Sequence, residues 1–402
     1  MRPVARSFAR ARREFCIAVA GGLAGTGSHS FARVGRAKAA LDVAAIERNR
    51  VVRLATGFLQ RPPVTITAFR AERSAGGTHD FYSEGDYWWP DPANPNGPYI
   101  ERDGITNPDN FVAHRHALIQ FSVQMPALAA AWHLTRHEPY ARHAARHLRA
   151  WFLDPATRMN PSLPYAQAVR GRVTGRSWGI IDTIHLVEVA RAIPFLQAAA
   201  VLSVDEHAEL VRWFADYLRW LTQSTPGTQE RDAQNNHGSC WVMQVAQFAR
   251  FTANRDLLAY CVERYQGTLV PTQVASDGSL PLELKRTKPY NYCLFDLDAL
   301  ATICQILSTP DIDLWSFQLA DGRGLERALA FMFPYVAAKE TWPYPPDVQY
   351  FDQFPVRQPS LLFAGLAYDQ SAWLELWRKL NPDPQVIEVL RNYPIRQPVL
   401  WV

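Results

Sequence analysis

The sequence predicts an all-α protein of the α/α-toroid class, an incomplete barrel of six or seven αα-hairpins. From Phe111 onward, apolar residues recur at spacings of three and four, which is the period of amphipathic helices. Short connections join these segments, and almost no segment alternates as a strand does. Since no fixed repeat is visible, the prediction depends on the succession of helices. An irregular helical bundle is the alternative.

Nine helices are predicted along the chain. They span 111–134, 140–152, 180–196, 206–221, 238–251, 255–265, 292–307, 325–336 and 360–380. Prolines punctuate the pattern: Pro126 and Pro194 are expected to interrupt or end apolar stretches, and Pro310, Pro334 and Pro382 to fall at boundaries. A loop is predicted at 224–227.

The first 32 residues are predicted to be an export signal. Five arginines precede a short apolar stretch, Ser30-Phe31-Ala32 is a plausible cleavage site, and Arg12-Arg13-Glu14-Phe15 resembles a twin-arginine motif. An unstructured basic tail is the alternative. Residues 33–402 are then expected to form one catalytic domain, and the mature protein to be periplasmic or secreted.

Composition excludes several classes of function. Of 42 basic and 38 acidic residues, five arginines and one glutamate lie in the first 32 positions, which leaves 37 of each. Charge therefore offers no basis for nucleic-acid binding, and no apolar run predicts a membrane span after signal removal. Four widely spaced cysteines outside the leader are expected to pack as small apolar residues, although one bridge stays open. No metal site and no cofactor are predicted, because the histidine pairs lack an H-E-x-x-H pattern.

Two segments depart from the helical pattern. Residues 61–110 form a long predicted loop rich in glycine, proline and aromatic residues, which indicates a functional loop and not a disordered one. Residues 341–346 are either a second rim loop or a rigid connector.

The candidate catalytic residues are Asn236 and His237, within Asn235-Asn236-His237, together with Arg286 and Tyr292. A polyuronate can be cut without water by removing the C5 proton and expelling the oxygen on C4. Arg286 and Asn236 can neutralise the adjacent carboxylate, and Tyr292 and His237 can transfer protons. Alternatively, the asparagines only cap the helix at 238–251.

Stereochemistry divides the two proton-transfer roles. In β-mannuronate and β-glucuronate the C5 hydrogen and O4 share one ring face, so Tyr292 alone can take the proton and return it. In guluronate they lie on opposite faces, and His237 is the candidate base. A free phenol has a pKa of ~10, so Arg286 is expected to lower the pKa of Tyr292.

At these residues the chain resembles the alginate lyase superfamily of α/α-toroid enzymes, most closely polysaccharide lyase family 38, whose members cleave alginate or glucuronan. The similarity covers most of the mature chain and includes 79–92, 107–115 and 160–167. Better-known alginate lyases have one more residue between the arginine and the tyrosine. The resemblance implies Tyr292 as base and acid, His237 as positioning group or alternative base, and Asn236 with Arg286 as carboxylate neutralisers.

Substrate contacts are predicted for aromatic and polar residues of the loops and of the similar segments. They are Tyr87, Trp88, Trp89, His114, Arg115, Tyr165, Gln167, Arg172 and Tyr290. Arg170 and Arg176 join Arg172 in a basic cluster that is expected to meet an acidic polymer away from the cut.

Two other functions compete with a lyase. A glycoside hydrolase needs two carboxylates across the scissile bond, for which Asp86, Asp91, Asp182 and Glu283 are candidates. A non-catalytic protein that binds an acidic polysaccharide needs the aromatics and arginines but not Tyr292. The particular uronan, endo or exo action and the oligomeric state are left open by the sequence.

Overall fold

The computed structural model describes residues 41–402, so the predicted export signal lies outside the described residues. Numbered in chain order, the α-helices of this range are α1 Val43–Phe58, α2 Ala113–Thr135, α3 Glu138–Leu148, α4 Leu186–Ala198, α5 Val204–Gln223, α6 Thr225–Arg231, α7 Asn236–Phe251, α8 Arg255–Arg264, α9 Val270–Gln273, α10 Pro281–Leu284, α11 Pro289–Leu307, α12 Leu325–Ala337, α13 Pro359–Ala367, α14 Ser371–Lys379 and α15 Ile387–Arg391. Residues Arg149–Leu153 and Tyr265–Leu269 continue α3 and α8 as π-helical turns.

The helices pack in two layers, which confirms the α/α toroid. The inner helices α2, α4, α7, α11 and α13 contact one another in turn, and nearly every residue of α7 and α11 is buried. Helices α3, α5, α8, α12 and α14 pack against this layer with one face exposed. Inner helices are apolar all round because they are covered on both sides, whereas outer helices keep a polar stripe.

Helix α1 was not predicted, because its buried face carries charge. Glu47 has no exposed surface and Arg50 is buried, and Arg50 Nε lies 2.6 Å from Glu47 Oε2. Arg357 Nη1 contacts the other oxygen of Glu47 at 2.5 Å. A buried ion cluster takes positions that apolar residues usually occupy, so the apolar period is weak.

Several predicted boundaries are wrong. Pro126, Pro194 and Pro334 lie inside α2, α4 and α12 and do not end them. The predicted loop at 224–227 contains the start of α6, where the Ser224 side chain accepts from the Gly227 backbone N–H. The single helix predicted at 360–380 is two helices, and Asp369 between them has a left-handed φ of 53°. These differences reflect caps and packing that an apolar period does not record.

Short strands organise the loop at 61–110. Strand β1, Tyr82–Glu84, pairs in parallel with β4, Tyr165–Ala168, and β2, Trp88–Trp89, pairs antiparallel with β3, Ile100–Glu101. The loop is therefore ordered against the toroid.

The four cysteines of the described range, Cys240, Cys261, Cys293 and Cys304, are buried free thiols. None of the helices between residues 41 and 402 combines the length and apolar character needed to cross a membrane.

Candidate active site

All four predicted catalytic residues line one cleft of about 480 Å³. Asn236 and His237 come from the first turn of α7, Arg286 from the segment before α11, and Tyr292 from the first turn of α11. Tyr87 enters the same cleft from the long aromatic loop. The cleft thus joins residues that are far apart in the sequence.

The start of α7 serves both as a cap and as part of the cleft. Asn235 is the N-cap, and its side chain accepts from the backbone N–H of His237 at 3.4 Å. Asn236 and His237 then occupy the first helical turn and face the cleft. The capping alternative is correct for Asn235, and it leaves the next two residues available for chemistry.

Asn236 is held by a buried carboxylate. Its backbone N–H and its Nδ2 donate to the two oxygens of Glu283 at 2.8 and 2.6 Å. Burial raises the pKa of Glu283, although the bonds from Asn236 oppose that shift. Because an amide nitrogen carries two hydrogens, one remains for a ligand after this bond is made.

His237 pairs with a second buried carboxylate, that of Glu230 in α6. Nδ1 lies 2.5 Å from Oε1 of Glu230, which has no exposed surface. Glu230 accepts a hydrogen bond from Nδ1–H, which leaves Nε2 as the ring nitrogen available to a substrate. The indole of Trp178 packs beside the imidazole, with ring centroids 5.6 Å apart.

Arg286 already holds a carboxylate of its own chain. Its Nη2 and Nε lie 2.8 and 3.3 Å from the oxygens of Asp103, which also accepts from Thr287 Oγ1 at 3.0 Å. Burial would raise the pKa of Asp103, but these partners lower it overall. Asp103 lies 183 residues from Arg286, and no local sequence signal connected the two.

Tyr292 forms a pair with another phenol. Its Oη lies 2.7 Å from Oη of Tyr87, and the Arg286 guanidinium lies 4.7 Å from the centre of its ring. Arg286 lowers the pKa of Tyr292 as expected, and so does the bond from Tyr87. Burial nevertheless outweighs both and leaves the pKa of Tyr292 above that of an ordinary phenol. The expectation of a net lowered pKa is therefore wrong.

Among the predicted substrate contacts, Tyr87 and Gln167 line the cleft. Gln167 has a left-handed φ of 49°, and its backbone N–H donates to Ser83 Oγ at 2.9 Å. Such a conformation costs about 1–3 kcal/mol in a non-glycine residue, and it is common at functional sites.

Four others lie outside the lining of the cleft. Trp88, Trp89 and Tyr165 are half-buried, and Arg172 is exposed. Trp89 Nε1 donates to the Ile105 carbonyl at 2.9 Å, and Arg172 Nε donates to the Tyr99 carbonyl at 2.6 Å.

His114, Arg115 and Tyr290 lie in the core, so the structure does not place them against a ligand. His114 Nδ1 accepts from the Tyr82 backbone N–H at 3.0 Å. The Tyr290 phenol donates to the Tyr335 carbonyl at 3.0 Å. These contacts are long-range, so the sequence did not show that the polar groups were already used.

A buried ion network lies behind the cleft. Arg115 contacts Asp86 at 2.5 Å and Asp182 at 3.3 Å, and Arg391 contacts Asp86 at 2.7 Å. Asp86, which was considered only as a hydrolase carboxylate, lines the cleft together with Arg391, which the sequence analysis missed. Three of the four carboxylates considered for a hydrolase are thus engaged with partners. Asp86 and Asp182 contact Arg115, and Glu283 accepts from Asn236.

A helical toroid whose cleft brings together a phenol, an imidazole, a guanidinium and an amide defines a polysaccharide lyase. The alginate lyase family model matches residues 65–342, and the chain belongs to that family.

Solved structures agree with this family. An alginate lyase from Bacteroides ovatus is 28% identical, with a TM-score of 0.77, over 89% of this chain and 93% of that one. A histidine-to-alanine variant of alginate lyase A1-III, complexed with a tetrasaccharide, is 16% identical, with a TM-score of 0.55, over 88% and 94% of the two chains. Alginate lyase A1-III from Sphingomonas species A1 is 16% identical, with a TM-score of 0.50, over 87% and 94%. The A1-III structures show the shared fold alone. No curated protein matches the chain.

Proposed function

We propose that this enzyme cleaves a β-1,4-linked uronic acid polymer, polymannuronate or glucuronan, by β-elimination. The observation that carries the proposal is that Tyr292, His237, Arg286 and Asn236 line one cleft. The similar protein from Bacteroides ovatus is an alginate lyase, and an A1-III variant is complexed with a tetrasaccharide. Both facts support an acidic polysaccharide as substrate.

The reaction needs a stabilised carboxylate. Arg286 and the second Nδ2 hydrogen of Asn236 donate to the carboxylate of the uronate whose C5 proton is removed. Their hydrogen bonds strengthen as negative charge develops on that group, which lowers the barrier. The C5 proton passes to the base, and the electron pair that it leaves is delocalised onto the carboxylate. That pair forms the C4=C5 double bond as the bond between C4 and O4 breaks, and O4 takes a proton from the acid.

The proton-transfer groups begin in defined states. Tyr292 is a neutral phenol in the free enzyme, because burial raises its pKa. It is ready to donate to O4, and it must lose its proton before it can act as base on mannuronate or glucuronate. Because Nδ1 of His237 bonds to Glu230, Nε2 is the ring nitrogen left for the substrate. His237 is therefore the base available for guluronate, whose C5 proton lies on the opposite ring face.

From the export signal predicted at 1–32, we infer a periplasmic or secreted location for the mature enzyme.

Digestion of polymannuronate, polyguluronate and glucuronan side by side tests the function. The expected result is rising ultraviolet absorbance from the new double bond with polymannuronate or glucuronan, and its loss in Tyr292→Phe. New reducing ends without that absorbance would indicate a hydrolase and would overturn the proposal. Unchanged polymer with all three substrates would overturn it as well.

A further inference from the structure

Three arginines line the cleft, and they differ in whether a carboxylate of the chain already holds them. Arg286 pairs with Asp103 at 2.8 Å, and Arg391 pairs with Asp86 at 2.7 Å. Arg176 also lines the cleft, but within residues 41–402 no carboxylate lies within 4.0 Å of its guanidinium. Arg176 is therefore the cleft arginine whose charge has no ion-pair partner in the described chain.

The position of the Arg176 side chain is nonetheless well defined. Nη2 donates to Oε1 of Gln167 at 2.8 Å, and the guanidinium lies over the rings of Trp88 and Trp178, at 5.6 and 4.7 Å from their centres. Its Nε is buried and has no hydrogen-bond partner among the described residues. A half-buried guanidinium that is fixed by neutral groups and keeps unused donors is suited to bind an anion.

Arg176 is set apart from the reacting groups by its contacts. Among the described residues its side chain contacts Gln167, Trp88 and Trp178 but makes no hydrogen bond or ring contact with Arg286, Asn236 or Tyr292. Trp178 links it to His237, since the indole lies 4.7 Å from the guanidinium and 5.6 Å from the centre of the imidazole. In a polyuronate the neighbouring unit supplies a second carboxylate.

We propose that Arg176 binds the carboxylate of the uronate unit adjacent to the one whose C5 proton is removed. Gln167 holds the guanidinium in place for this contact. The enzyme then requires acid groups on two consecutive units, which selects polymers made of uronates over polymers that alternate uronate with a neutral sugar. This inference rests on the proposed function.

The test compares matched variants of the full-length protein on the uronan that is cleaved fastest. Arg176→Gln removes the charge and is expected to raise KM about tenfold or more, with kcat within threefold, because one charge-assisted hydrogen-bonded contact is lost. Arg176→Lys keeps the charge and is expected to recover part of the affinity.

Arg191→Gln is the matched control, because Arg191 is half-buried, lies over the indole of Trp401 at 5.4 Å and donates to a backbone carbonyl, but does not line the cleft. Its KM is expected to stay within twofold of the unaltered enzyme. Thermal unfolding of each variant checks that the fold is retained.

A second, chemically altered substrate distinguishes loss of carboxylate binding by Arg176 from a general loss of structure in the variant. Partial reduction of the polymer's carboxyl groups to hydroxymethyl groups is expected to raise KM for the unaltered enzyme much more than for Arg176→Gln. An unchanged KM in Arg176→Gln, or an equal rise in Arg191→Gln, would overturn this inference while leaving the lyase function intact. Absence of unsaturated product from the unaltered enzyme on all three uronans would overturn both.

Discussion

The imidazole of His237 and the carboxylate of Glu230 form a hydrogen bond of 2.5 Å between Nδ1 and Oε1, beneath the surface of the cleft. Glu230 comes from α6, seven residues before His237, and its other oxygen has no hydrogen-bond partner among residues 41–402. A buried carboxylate of this kind fixes the tautomer and the orientation of the ring. We therefore expect Glu230 to be a positioning residue that acts through His237.

Glu230→Gln is expected to lower kcat about tenfold, because a neutral amide makes a weaker bond to the imidazole than a carboxylate does. His237→Ala is expected to cost about 10²- to 10⁴-fold, the range for losing a proton-transfer group. In the His237→Ala background, Glu230→Gln should have almost no further effect. If the losses in kcat of the two single variants multiply in the double variant, Glu230 acts by a route other than His237.

The phenols of Tyr292 and Tyr87 are expected to contribute unequally to kcat. Tyr292→Phe should reduce kcat by about 10²- to 10⁴-fold, because the proton-transferring oxygen is removed while the ring under Arg286 is kept. Tyr87→Phe should reduce kcat by only about tenfold, because it removes one hydrogen bond to Tyr292. Initial rates of ultraviolet absorbance measure both, and a larger effect of Tyr87→Phe would reverse the assignment.

The pH dependence follows from the state of Tyr292. Burial raises the pKa of this phenol, so only a small phenolate fraction exists near neutrality. Where Tyr292 is the base, as on polymannuronate, kcat/KM should rise about tenfold for each pH unit between pH 7 and 9, since the phenolate fraction rises in that proportion. A plateau in kcat/KM below pH 8 on polymannuronate would mean that another group is the base.

Asp103 is expected to compete with the substrate for Arg286. Asp103→Asn should lower KM by about fivefold at most, since a partly exposed ion pair is worth ~0.2–1 kcal/mol. Asp321→Asn breaks a comparable pair with Arg323 at 2.8 Å and serves as the control, because neither residue lines the cleft. A raised KM in Asp103→Asn would show instead that Asp103 is needed to hold Arg286 in place.

Asp298 in α11 is expected to make stability depend on pH. Burial raises its pKa from 3.8 to about 7, although hydrogen bonds from Ser360 oppose the shift. The folded state then binds more protons than the unfolded state between these values, so stability should fall as pH rises from about 4 to 7. Asp298→Asn should remove part of that fall, on the order of a few kcal/mol, in denaturant unfolding at pH 5 and pH 8. An identical pH dependence in the variant would exclude Asp298 as its source.

Much of the fold was predictable because its inner helices are long and apolar. The segments predicted at 238–251 and 292–307 correspond to α7 and α11, which begin two and three residues earlier. Helix α1 was not predictable in the same way, since Glu47 and Arg50 become favourable in the core only through partners such as Arg357. The spacing of apolar residues within one segment gives no information about an ion pair between residues that are 310 positions apart in the sequence.

For the candidate site, the sequence by itself identified four side chains that the structure brings into one cleft: Asn236, His237, Arg286 and Tyr292, which stand in short motifs at or just before the starts of two helices. Only the tertiary structure decided their electrostatic states. Asp103 occupies Arg286, Glu230 orients His237, and burial keeps Tyr292 protonated. The reason is physical: residue type follows from local sequence, whereas charge pairing and desolvation arise only when distant segments pack together.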